Sequence, residues 1–168
     1  MARMIRFNIE SIVVSKIFGS IDTAHGDVSI ADDGRYSAEI NGDLYLFDGK
    51  CIWEYSAQNA QATKQCLKED EEFENRLFFL KNLDHYYSTS SVSPDSIYKL
   101  IRAKEDDDAL PDSLLVTLSE SRLVKMEYYD LNNDLNVVSL KKESLSDSVE
   151  NRVFSPAFPD STEIIDLP

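Results

Sequence analysis

Two dipeptides, Asn41-Gly42 and Asp48-Gly49, constrain this chain more than any other feature. Each is a tight-turn signal, because Gly, Asn and Asp accept the backbone angles that a short hairpin loop requires. Each is flanked by residues of period-2 character. Tyr36, Ala38 and Ile40 alternate before the first, Leu44-Tyr45-Leu46-Phe47 lies between them, and Ile52-Trp53-Glu54-Tyr55-Ser56 follows the second. Val28 and Ile30 precede a further turn signal, Asp32-Asp33-Gly34. Residues 26–66 therefore read as a meander of antiparallel hairpins. Its last hairpin joins Ile52–Ser56 to Gln61–Gln65 through Ala57-Gln58-Asn59-Ala60. A turn centred between Gln58 and Asn59 sets Cys51 directly opposite Cys66, within disulfide reach. Two readings stay open there: a bridge, or two thiols acting as small apolar side chains, since a one-residue slip separates the sulfurs.

The rest of the chain is also mainly strand-like. Ile5, Phe7 and Ile9 alternate with Arg6, Asn8 and Glu10, and Ile12–Phe18 continues the pattern past a bulge as far as Gly19-Ser20. Later strands are expected at Ile97–Arg102, Leu114–Leu118, Leu123–Tyr129 and Leu135–Lys142. One helix is expected over about 70–83, where Glu69-Asp70-Glu71-Glu72 suits a helix start and Phe73, Leu77 and Leu80 share a face beside Phe78. Asp106–Asp108 and Ser144–Ser148 read as loops, and Pro156 and Pro159 mark an irregular terminus. With 168 residues, no repeat and no dividing linker, the chain is read as one domain, residues 1–168.

Charge narrows the function. The net charge is −14, and the acidic residues are spread along the chain, so a nucleic-acid or anionic-membrane footprint is not expected. No apolar run approaches the roughly 18 residues that a membrane-spanning helix needs. Arg6, Asn8 and Glu10 interrupt any apolar core of a signal peptide. Neither histidine, His25 or His85, stands in a catalytic or metal-ligating spacing, so catalysis, a metal and a cofactor are not expected.

A large antiparallel sheet with one short helix must still cover its apolar face. That face is read as carrying Ile5, Phe7, Ile9, Val28, Ile30, Tyr36, Trp53, Tyr55, Val124, Met126 and Tyr128, under a helix bearing Phe73, Leu77, Phe78 and Leu80. It forms either an ordinary closed core or a cavity for an apolar ligand.

The stretch Leu46-Phe47-Asp48-Gly49-Lys50-Cys51-Ile52-Trp53-Glu54-Tyr55 resembles the "DGK-x-hydrophobic-W-x-Y" signature of LolA-type periplasmic lipoprotein carriers. Gln61-Ala62-Thr63, Gly26-Asp27-Val28, Arg35-Tyr36 and Phe154–Asp160 are similar to further segments of that family, in the same order. The resemblance implies an unclosed antiparallel β half-barrel covered by a helical lid. It implies a monomeric periplasmic chaperone that binds the acyl chains of lipoproteins. Such a carrier takes its cargo from an inner-membrane lipoprotein-releasing ABC transporter to an outer-membrane acceptor. The ligand-binding residues it points to are Phe7, Ile30, Tyr36, Trp53, Tyr55, Phe73, Leu77, Phe78, Leu80, Val124, Met126 and Tyr128. Two departures stand out. Family members begin with an amphipathic helix, whereas this sequence is strand-like almost from Met1, and the family's basic latch residue falls near Ala31-Asp32-Asp33. They leave open a sensor or adaptor module of the same superfamily; a cytoplasmic hydrolase is a third and weaker reading.

Overall fold

The computed structural model describes residues 3–68, 83–93, 96–103 and 110–168. Among these, twelve strands form one sheet: β1 (Met4–Ser15), β2 (Ser20–Ala31), β3 (Tyr36–Ile40), β4 (Asp43–Phe47), β5 (Cys51–Ser56), β6 (Gln61–Cys66), β7 (Tyr87–Val92), β8 (Ile97–Arg102), β9 (Ser113–Ser119), β10 (Arg122–Tyr129), β11 (Leu135–Ser146) and β12 (Glu163–Leu167). Their order is β12-β6-β5-β4-β3-β2-β1-β11-β10-β9-β8-β7, so the sheet ends on β12 and β7. The sheet is thus mainly a meander of neighbours in sequence, as the turn signals predict. A four-residue helix, α1 (Leu83–Tyr86), and a 3-10 turn, Asn151–Phe154, are the described helical segments. The expected helix over 70–83 lies outside the described residues except for Leu83.

The chain divides into two compact units. The first comprises Met1–Ile9, Ala24–Phe73 and Lys141–Pro168, and the second comprises Glu10–Thr23 and Glu74–Leu140.

In the first unit, local chemistry sets each turn. Asn41 and Gly42 both take positive φ, 53° and 90°, so Ile40 opposes Asp43 across a two-residue loop. Gly49 takes φ 98°. Beside it Asp48 Oδ1 accepts hydrogen bonds of 2.8 Å from the N–H groups of Lys50 and Cys51, while Trp53 Nε1–H donates to Asp48 Oδ2 at 2.9 Å. Burial raises the Asp48 pKa, but these hydrogen bonds outweigh it and hold the carboxyl below its usual value. At Gly26 a side chain cannot fit, because a Cβ would stand 2.2 Å from the Glu39 carbonyl oxygen. Cys51 opposes Cys66 and the two form a disulfide.

The C-terminal segment then crosses the same unit. Phe154 is buried with Met4 and Ala31, and Val149 and Val153 pack against them. The segment ends as β12, which pairs parallel with β6 from Glu163↔Gln61 to Leu167↔Gln65. Gln61 donates to Glu163 at 2.8 Å and Lys64 pairs with Asp166 at 3.2 Å.

In the second unit, β7–β10 pair antiparallel in sequence order, and β10 pairs with β11. Direct opposition puts Tyr98, Val116, Met126 and Val138 on one face, with Leu114 and Leu100 beside them. Leu114, Val116, Met126 and Val138 are all buried, whereas Leu115 and Ile101 on the other face are exposed. A register shift between Leu123 and Lys125 makes Val124 the extra residue of a β-bulge.

Several boundaries differ from those the sequence predicts. The first strand ends at Ser15, not Phe18, and the expected loop at Ser144–Ser148 is strand as far as Ser146. Two strands have no counterpart in the expectation: β7, whose Ser- and Thr-rich run hides its pairing with β8, and β12, which forms only on a distant partner.

Candidate ligand-binding face

Register decides which side chains can meet. Across the first unit the pairs Ile30↔Tyr36, Tyr36↔Phe47 and Phe47↔Ile52 place these four residues on one face. Val28↔Ala38 and Ala38↔Tyr45 add three more. The amide of Asn8 donates to Asp27, and Asp27 belongs to the opposite face, so alternation turns Phe7 toward Ile30 and Tyr36. Ile5 and Ile9 follow Phe7 by the same period. Around Tyr36 this face is apolar, while Asp43, Glu54, Thr63 and Gln65 share it toward its edge. Tyr36, Val28, Ala38 and Phe47 are buried, and Phe7, Ile30, Ile40 and Ile52 are half-buried. The rings of Tyr36 and Phe47 lie 6.2 Å apart. Burial, and then the charge of Glu54, pushes the Tyr36 phenol up to about 12, so its hydroxyl keeps its proton at any physiological pH.

Trp53 and Tyr55 do not belong to this face, which corrects the expectation that they share it with Ile30 and Tyr36. The pairs Leu46↔Trp53 and Leu44↔Tyr55 set them on the opposite side of the sheet. There the C-terminal segment covers them: the Phe158 ring stacks on Tyr55 at 5.4 Å and tilts against Trp53 at 5.8 Å. Lys64 Nζ sits 5.4 Å from the Trp53 ring centre. The physical reason is the length of the loops. With Ile40 opposite Asp43 and Phe47 opposite Ile52, strand β5 enters one step out of phase with the assumption that all its aromatics face inward.

Further contacts hold the segment on this Trp53 face. Arg35 grips Asp33, Nη2 to Oδ2 at 2.7 Å, donates from Nη1 to Asn151 Oδ1 at 2.9 Å, and lies 5.1 Å over the Phe154 ring. The Arg35 guanidinium lowers the Asp33 pKa against the opposing effect of burial. Arg6 pairs with Glu150 at 3.1 Å and Arg3 with Asp147 at 3.7 Å.

In the second unit Met126 and Tyr128 do share a face, and Met126 is buried while Tyr128 is half-buried. Burial, and then the charge of Asp130, raises the Tyr128 pKa. Val124 sits at the bulge beside them. Phe73, Leu77, Phe78 and Leu80 lie outside the described residues. Sequence reading missed Phe47 and Ile52 as members of the Tyr36 face, and Phe154 and Phe158 as the cover of the other. Counting the loop residues at Asn41-Gly42 and Gly49-Lys50 is the signal that finds the first two.

No protein-family model matches the chain, and no curated protein matches it in sequence. Solved structures do. A conserved, uncharacterised protein of Thermus thermophilus is similar with a TM-score of 0.59 at 8% identity, over 98% of this chain and 90% of that one. A LolA superfamily protein of Nitrosomonas europaea aligns with a TM-score of 0.49 at 12% identity, over 91% and 90% of the two chains. An outer membrane lipoprotein-sorting protein domain of Vibrio parahaemolyticus aligns with a TM-score of 0.46 at 10% identity, over 90% and 88%. The likeness to the Thermus thermophilus protein is one of fold: an open, mainly antiparallel sheet.

Proposed function

We propose that this chain is a periplasmic carrier that binds the acyl chains of lipoproteins on the Tyr36 face and performs no catalysis. The observation that carries the reading is the convergence, by strand register, of Phe7, Ile30, Tyr36, Phe47 and Ile52 on one face, while the chain's own C-terminal segment occupies the other. A 16-carbon chain loses about 12 kcal/mol when it moves from an apolar site into water, at about 0.8 kcal/mol per CH₂. A protein that escorts such a chain through water needs an apolar surface that is not sealed by its own covalent structure. The Cys51–Cys66 disulfide suits an oxidising compartment. The DGK-type turn, with Asp48 holding Trp53, gives the resemblance to LolA-type carriers a structural role. On this reading the partners are acylated lipoproteins, an inner-membrane releasing transporter and an outer-membrane acceptor.

The test is titration of the full chain with the neutral fluorophore N-phenyl-1-naphthylamine, followed by displacement with a triacylated peptide. Micromolar binding and displacement are expected. Phe7→Ser and Ile30→Asn should each weaken binding at least tenfold, whereas Tyr55→Phe, on the other face, should not change it. Absence of probe binding, or equal losses from both faces, overturns the reading.

A further inference from the structure

Among the described residues of the second unit, the most exposed large apolar side chains gather in two turns. The turn between β1 and β2 presents Ile17 at 73% and Phe18 at 82% exposure, with Ile21 at 70% at the start of β2. The neighbouring β10–β11 turn presents Leu131 at 84%. The two turns stand together, because Lys16 Nζ lies 5.4 Å from the centre of the Tyr129 ring.

Both turns are built rather than slack. The Phe18 N–H donates to the buried Ser15 hydroxyl at 3.4 Å, and Gly19 supplies the positive φ, 62°, that reverses the chain. In the other turn Asp130 Oδ1 accepts from the N–H groups of Asn132 at 2.9 Å and Asp134 at 3.0 Å, and Oδ2 accepts from Asn136 at 3.1 Å. The Asp130 carboxylate is thus turned inward to its own loop, and Leu131 is left at the apex.

The chemistry is that of an interface with lipid. Clustered exposed apolar side chains at convex apices, beside an aromatic ring and a lysine whose charge sits at the end of an apolar stem, match what partitions between headgroups and acyl chains. The charge pattern agrees. The chain carries a net charge of −14, yet Ser11–Ile21 contains no Asp or Glu and has Lys16 as its only charge. At the β10–β11 apex Asp130 and Asp134 flank Leu131, and the Asp130 carboxylate is engaged in hydrogen bonds within its own loop.

We infer that the paired apices around Phe18 and Leu131 insert into the headgroup region of a lipid bilayer, and that they do so on neutral rather than anionic lipid. This surface is separate from the Tyr36 face and does not depend on acyl-chain binding there.

The experiment is flotation of the full chain with phosphatidylcholine vesicles, with and without phosphatidylglycerol. The chain should float with pure phosphatidylcholine, and phosphatidylglycerol should not increase the bound fraction. The double variant Ile17→Ser/Phe18→Ser should partition at least tenfold less. Phe18→Leu should stay within twofold of the parent, and Phe7→Ser should float unchanged. A Phe18→Cys variant labelled with a polarity-sensitive fluorophore should shift to the blue on vesicles. The inference is overturned if the chain stays in the buffer, or if the double variant floats like the parent. It is equally overturned if the apices serve only to join two copies of the chain, seen as a dimer that the double variant dissolves without any vesicle binding.

Discussion

Both faces of the first unit carry aromatic rings, but they obtain their partners differently. On the Trp53 face, Phe154 and Phe158 arrive on the same chain, fixed by Arg35 and by the pairing of β12 with β6. On the Tyr36 face, the residues that register brings together, Phe7, Ile30, Tyr36, Phe47 and Ile52, come from the strands themselves. The face covered by the C-terminal segment is structural, and the function proposed above assigns the guest to the other.

Breaking the filler should have the largest effect. Phe154→Ala removes a fully buried ring and should cost about 3–5 kcal/mol. Urea unfolding measures it, and early proteolysis between residues 155 and 162 should accompany it. Reducing the Cys51–Cys66 bridge should cost about 2–3 kcal/mol, as expected for a closed loop of this length. The midpoint shift with and without reductant reads this directly.

Asp48→Asn should cost about 1–3 kcal/mol by unpairing donors at the tight turn. The sign of its pH dependence follows from the lowered pKa. The folded-state value lies below the ordinary 3.8, so the contribution is fully present above that pH. It is lost as pH falls through the folded-state value, and the Asp48→Asn variant should lack this part of the acid transition. The smallest effect should come from Arg6→Ala, whose pairing with Glu150 is a surface contact; its unfolding midpoint should stay within error of the parent, and added salt should change little.

The hairpin cascade was legible because turn chemistry is local. Asn41-Gly42 fixes its own geometry, and the Cys51–Cys66 pairing follows from the loop at Ala57–Ala60. Which face an aromatic takes is also encoded, but in loop lengths rather than in the aromatics, and so periodicity alone groups Trp53 and Tyr55 with Tyr36 where the register separates them. β12 was not legible at all. Its parallel partner lies about a hundred residues away, and Glu163 and Asp166 find their partners, Gln61 and Lys64, only once the chain has folded.

β12 also closes a hazard. A sheet that stopped at β6 would offer bare amide and carbonyl groups to any passing strand. The five residues Glu163–Leu167 take up that bonding and put carboxylates at the rim in its place. Removing the segment after Phe154 would leave β6 as a template, so clumping of the shortened chain, rather than simple loss of shape, is the failure to watch for.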